Sequence, residues 1–183
     1  MADTKKKDTK KQEKKSEVAP VQLFSKFGEF NSVEELNEAA AGQLAEGDLD
    51  ALRELAKENG IEDAEVQDYI DGYTDSLAMP ITAAMGRANV EMQSKEKASE
   101  YYILKVIYTI LMSMLTEETV ARAVMGKRKR ISAIYDGLRN GASRHKNGKC
   151  GCSCGTDRQL EDIIRAYYLD GVDAMEKKIE ELY

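Results

Sequence analysis

From Leu23 onward, apolar residues recur every three or four positions almost to the C-terminus, the spacing that gathers them on one side of a helix. Ser32, followed three positions later by Glu35, reads as a capping box ahead of Val33, Leu36, Ala40 and Leu44. Asp48 is placed to cap a second helix striped by Leu49, Leu52, Leu55 and Ala56. Gly60 should stop that helix in a left-handed conformation, with Ile61 folding back. A short third helix is predicted over 64–71, carrying Val66, Tyr69 and Ile70, and Pro80 suits the first turn of a fourth that runs through Val90. Ser94 is then read as the cap of the most apolar helix. There Tyr102, Ile103, Val106, Ile107, Ile110, Leu111 and Met114 cover more than one face, as a helix buried at the centre of a core would. Thr116 is assigned as the cap of a short helix with Val120, Ala121 and Val124. Ile131, Ile134, Tyr135 and Leu138 mark another period. Leu160, Ile163, Ile164, Tyr167 and Tyr168 follow a glycine-cysteine loop, and Met175, Ile179 and Leu182 form a last helix. No stretch alternates convincingly as a strand, so the expected architecture is all-α, a compact multi-helix bundle.

Charge divides the chain into three parts. Residues 1–21 carry seven lysines and four acids with little apolar surface, a composition that reads as a disordered, solubilising tail. Residues 22–93 form an acidic helical region; over 22–92 there are sixteen acidic and four basic residues. Residues 94–183 form a third, mildly basic part containing the glycine-cysteine loop. The whole has 183 residues and a net charge of −6, within reach of one core or two small ones. The lysine-rich start does not resemble a secretory signal, and the longest apolar run, 101–115, holds Lys105 and falls short of the roughly 20 residues of a membrane span. Three clustered cysteines do not suggest a framework of paired bridges; a reducing cytoplasm and no membrane are the expectation.

The densest candidate chemistry lies between Gly126 and Gly171. Cys150, Cys152 and Cys154 with His145 offer three thiolates and an imidazole, ligand types that zinc accepts. Their one-residue gaps differ from the two to four residues between paired ligands in common zinc knuckles, so a reduced glycine-rich loop is the simpler reading and zinc the less favoured one. Lys146 and Lys149 could also lower a thiol pKa and favour redox chemistry. The basic run Lys127, Arg128, Lys129 and Arg130 is read first as the solvated face and start of the Ile131–Leu138 helix; it also admits contact with phosphate backbones, contact with an acidic protein surface, or pairing with the acidic region of the same chain. The acidic region is read first as the wet side of amphipathic helices, and second as a mimic of phosphate spacing that would enter a basic channel. No phosphate-binding glycine loop, nucleophile elbow, metalloprotease helix or calcium loop is found, and the single histidine has no catalytic company; an enzyme is not expected.

From Tyr101 onward the order of features resembles the PcfK-like proteins of conjugative elements, a group that includes anti-CRISPR inhibitors of the type II RNA-guided nuclease. The apolar helix YYILKVIYTILMSML leads through TEETVARAVMGKRKRISAIYDGLRNGA and the loop NGKCGCSCGTD to DRQLEDIIRAYYLDG, a helix ending in paired aromatics and an acid. The resemblance covers roughly the last 80 residues; the cysteines and the acidic region depart from it. It implies a noncatalytic interaction protein of a phage, plasmid or integrative element, acting in the cytoplasm of a bacterial host by binding a defence nuclease. Lys127–Arg130 would then steer the encounter, and Tyr167 and Tyr168 would serve as contact anchors, a core position for the two rings being the equal alternative. The runner-up is a nucleic-acid-binding accessory factor of conjugation or replication, and a zinc-stabilised structural module is a third reading.

Overall fold

The computed structural model describes residues 23–153 and 155–183; the lysine-rich tail and Cys154 lie outside the described residues. Within them the chain forms nine α-helices and no strand beyond an isolated bridge between Asn147 and Cys150. The helices are α1 Val33–Glu46, α2 Leu49–Glu58, α3 Asp63–Ile70, α4 Pro80–Ser94, α5 Tyr101–Met114, α6 Glu118–Val124, α7 Ile131–Arg144, α8 Asp157–Asp170 and α9 Val172–Glu180.

Local chemistry sets most boundaries. Ser32 Oγ accepts the Glu35 N–H (3.2 Å), but the Glu35 carboxylate turns to the Asn31 N–H (2.7 Å), one residue before the position a capping box would use. Asp48 Oδ1 caps α2 through the Ala51 N–H, and Gly60 takes φ 70° so that the Ile61 N–H reaches the Ala56 carbonyl. Two expected caps are corrected. Ser94 ends α4 and donates to the Glu91 carbonyl, and a turn over 95–100 precedes α5. Thr116 likewise donates backward, to the Ser113 carbonyl, leaving Glu117 at the α6 N-cap. A serine or threonine hydroxyl beside a helix end finds a main-chain acceptor as readily as a donor, so residue type alone does not fix its role.

Apolar side chains condense into two clusters. Leu36, Leu52, Leu55, Ile61 and Val66 fill the first, under α1–α3. Leu104, Ile107, Leu111, Ile134, Ile163, Ile164 and Ile179 dominate the second, among α4–α9. Helix α4 serves both: Ala83 faces the first cluster while Ala84, Ala88 and Met92 face the second. The expected division after residue 93 therefore does not separate the cores. The end of α2 meets α4 backbone to backbone, because both residues at the crossing lack a side chain. A Cβ on Gly86 would lie 2.3 Å from the Asn59 carbonyl oxygen, and one on Gly60 2.4 Å from that of Gly86. Helix α5 is buried along Leu104, Ile107, Leu111 and Met114, but its other side is open, with Tyr102 80%, Ile103 51% and Val106 50% exposed, so it is not the fully enclosed helix its composition suggested.

Candidate functional site

The buried side of helix α4 carries the small residues Ala83, Ala84, Gly86 and Ala88, which lets α6 approach closely and leaves room for two long charged side chains one turn apart, Arg87 and Glu91. Both are almost completely enclosed, at 3% and 5% exposure. A buried charge is costly unless it is hydrogen-bonded, and each finds the end of a neighbouring helix, although Arg87 Nε has no partner among the described residues. Arg87 donates to the Gly126 carbonyl (3.3 Å), to those of Val124 (3.5 Å) and Met125, and to the Phe30 carbonyl (2.7 Å). It thereby closes the C-terminus of α6, where a cation also complements the helix dipole. Glu91 accepts the N–H groups of Ile131 (2.9 Å) and Ser132 (3.0 Å), capping α7 from another helix. Burial pushes the Arg87 guanidinium down to about 10, with nearby Glu29 opposing the shift; the group stays protonated at neutral pH.

The basic run occupies the α6–α7 turn that these two residues hold. Arg130 grips Glu29 at two points (2.7 and 2.9 Å), and the backbone N–H of Arg128, which adopts a left-handed φ of 63°, donates to the same carboxylate (2.8 Å). Burial alone would raise the Glu29 pKa; the hydrogen bonds from Arg130 and Arg128 outweigh it and hold the carboxyl below its ordinary range. Phe24 packs against both guanidinium groups, its ring centre 5.2 Å from Arg87 and 5.5 Å from Arg130. The segment from Phe24 to Phe30 is thus strapped onto the turn. Lys129 donates to the Tyr167 carbonyl (2.8 Å) near the end of α8 and sits 5.0 Å over the Tyr167 ring; partial burial lowers its pKa. Only Lys127 and Arg128 of the run leave their side chains exposed.

Of the two places open to the tyrosine pair, contact surface or core, the structure shows the core. Tyr167 and Tyr168 are each 3% exposed and meet edge to face. The Tyr167 hydroxyl accepts the Arg130 N–H (2.9 Å), and burial raises the pKa of both rings, Tyr168 the more. Their spacing put them on the apolar side of α8, and that side faces inward.

The cysteine loop does not assemble with the histidine. His145 at the end of α7 puts Nε2 2.6 Å from Glu180 and stacks its ring on Tyr183 (centroids 4.1 Å apart), while Arg144 binds the other oxygen of Glu180. Cys150 and Cys152 are exposed free thiols, and no cluster of three or more metal-binding side chains occurs among the described residues. Cys154, the remaining member of the zinc reading, lies outside them. No helix among the described residues is long and apolar enough to cross a membrane.

Sequence reasoning named the basic run but missed Glu29, Arg87 and Glu91, which decide its structural role. A usable signal was present: opposite charges four residues apart on a helix otherwise rich in alanine, with Gly86 beside them, suggest a close-packed face around an internal pair. No protein-family model, curated protein or solved structure matches this chain.

Proposed function

We propose that this chain is a noncatalytic interaction protein that binds a basic partner through the acidic surface of α1–α3. The observation that carries this reading is the charge on the outer side of those helices: Glu38, Glu46, Asp50, Asp63, Asp68 and Asp71 face solvent with no ion-pair partner among the described residues. Carboxylates arrayed on a helical scaffold present negative potential much as a phosphate backbone does, and a cationic nucleic-acid channel focuses the complementary field. Beside Glu34, the exposed side chains of Met79 and Ile81 line a groove against α1 and add apolar contact area. Catalysis finds little support at the buried centre, where Arg87 and Glu91 are engaged by main-chain groups. Together with the resemblance to PcfK-like proteins, this surface makes an RNA-guided nuclease of a bacterial host the proposed partner. The chain would act as a mobile-element product in that host's cytoplasm.

The test is target cleavage by a panel of purified type II nucleases with the chain in molar excess. Cleavage by a sensitive nuclease should fall, and should recover when the six carboxylates are changed to their amides. Lys127→Ala with Arg128→Ala should inhibit as the parent does. Unchanged cleavage across the panel would remove the nuclease as partner. Salt-sensitive DNA binding that depends on Lys127 and Arg128 would instead establish the accessory-factor role.

A further inference from the structure

Helix α5 carries one charged side chain in fourteen residues, Lys105. A helix that is apolar on nearly every side is normally covered on every side, because each exposed apolar group keeps its hydration cost. Here the inner row meets the second core, whereas Tyr102, Ile103 and Val106 stand in solvent. Tyr102, Val106, Thr109 and Ile110 line a groove whose remaining walls are Lys105 and Asp157, the first residue of α8. Neither Lys105 nor Asp157 forms an ion pair with the other or with any other described residue. One groove therefore presents an apolar strip with a cation and an anion on its walls, neither of them ion-paired among the described residues.

We propose that this groove is the contact between two copies of the chain, with α5 of each lying along α5 of the other about a twofold axis. In a twofold contact every residue meets the complement of its own surface, so a patch holding both a cation and an anion is able to satisfy itself. Lys105 of each copy then faces Asp157 of the other, and the Tyr102–Val106 strips cover one another. The pairing is independent of the acidic surface on α1–α3. A contact centred on one helix face lies at the small end of stable interfaces, which sets the expected dissociation constant on the order of 1–100 µM.

Sedimentation velocity of the full chain over a dilution series tests the pairing. The parent should pass from monomer to dimer across that range. Val106→Glu should raise the dissociation constant about tenfold or more, by placing a charge in the strip, with far-UV circular dichroism and melting temperature unchanged. Lys105→Glu and Asp157→Lys each set like charges opposite one another twice and should each weaken association about tenfold. An equimolar mixture of these two variants should associate again as a heterodimer, because each copy then offers the charge the other needs. A parent that stays monomeric throughout the range, or a dimer indifferent to Val106→Glu, would overturn the proposal. Two folded single-reversal chains that fail to associate when mixed would overturn the assigned twofold pairing.

Discussion

Arg130 and Glu29 stand 101 positions apart in the chain and form a two-point ion pair at 2.7 and 2.9 Å, fastening the segment before α1 to the turn before α7. Because Arg128 and Arg87 also approach the carboxylate, removing Glu29 leaves more than one cationic or N–H group without its anion. Glu29→Ala should destabilise the fold by about 2 kcal/mol, between the cost of a surface pair and that of a fully buried one. Thermal unfolding should register this as a fall of about 4–8 °C for a chain of this size.

The same pair predicts an acid dependence. The folded-state pKa of Glu29 is depressed, so its stabilisation is fully present above the ordinary glutamate value, about 4.3, and is lost as pH falls through the folded value. The melting-temperature difference between parent and Glu29→Ala should be constant from neutral pH to about pH 5 and shrink at lower pH. A difference that instead grew on acidification would contradict the assigned sign.

Arg87 and Glu91 should differ in their tolerance of substitution. Arg87→Ala strips partners from four main-chain carbonyls and should cost about 3 kcal/mol or more. Glu91→Ala uncaps α7 and should cost about 1–2 kcal/mol, whereas Glu91→Gln, which keeps one acceptor oxygen, should recover part of the loss. Chemical denaturation of the three variants measures the order.

Two glycine substitutions should act in opposite directions. Gly86→Ala gains helix propensity but drives its methyl against the Asn59 carbonyl, and the clash should win by about 1–3 kcal/mol. Gly42 lies on the exposed side of α1 with open space around it, so Gly42→Ala should stabilise by about 0.5–1 kcal/mol. Equal destabilisation in both melts would rule out the close crossing as the cause.

Tyr167→Phe removes the acceptor of the Arg130 N–H without changing the ring, and should cost about 1 kcal/mol of stability. As a core residue, Tyr167 should leave inhibition of a sensitive nuclease unchanged at a temperature where the variant is folded. A selective loss of inhibition with unchanged melting would return it to the contact surface.

Helix existence, the Asp48 cap, the Gly60 stop and the division of apolar from polar faces were legible in the chain, because each depends on residues within one or two turns. Four consecutive cations at 127–130 were equally legible as a charged segment, and pairing with the acidic region was among their possible uses. Their fates were not legible. Lys129 and Arg130 turn inward because a carboxylate 101 positions before Arg130 and a carbonyl near the end of α8 come within hydrogen-bond reach, while Lys127 and Arg128 point out.

By itself, then, the sequence determined an all-α protein with an acidic region over 22–93 and a basic segment at 127–130, since periodicity and charge are local quantities that survive any arrangement of the helices. Only the tertiary structure decided that Tyr167 and Tyr168 are core, that Arg87 and Glu91 close the ends of neighbouring helices, and that one side of α5 stays open. Those outcomes depend on which groups meet across the bundle. A buried charge is retained only where distant main-chain atoms supply its hydrogen bonds, and an apolar face is covered only where another element has room to lie against it.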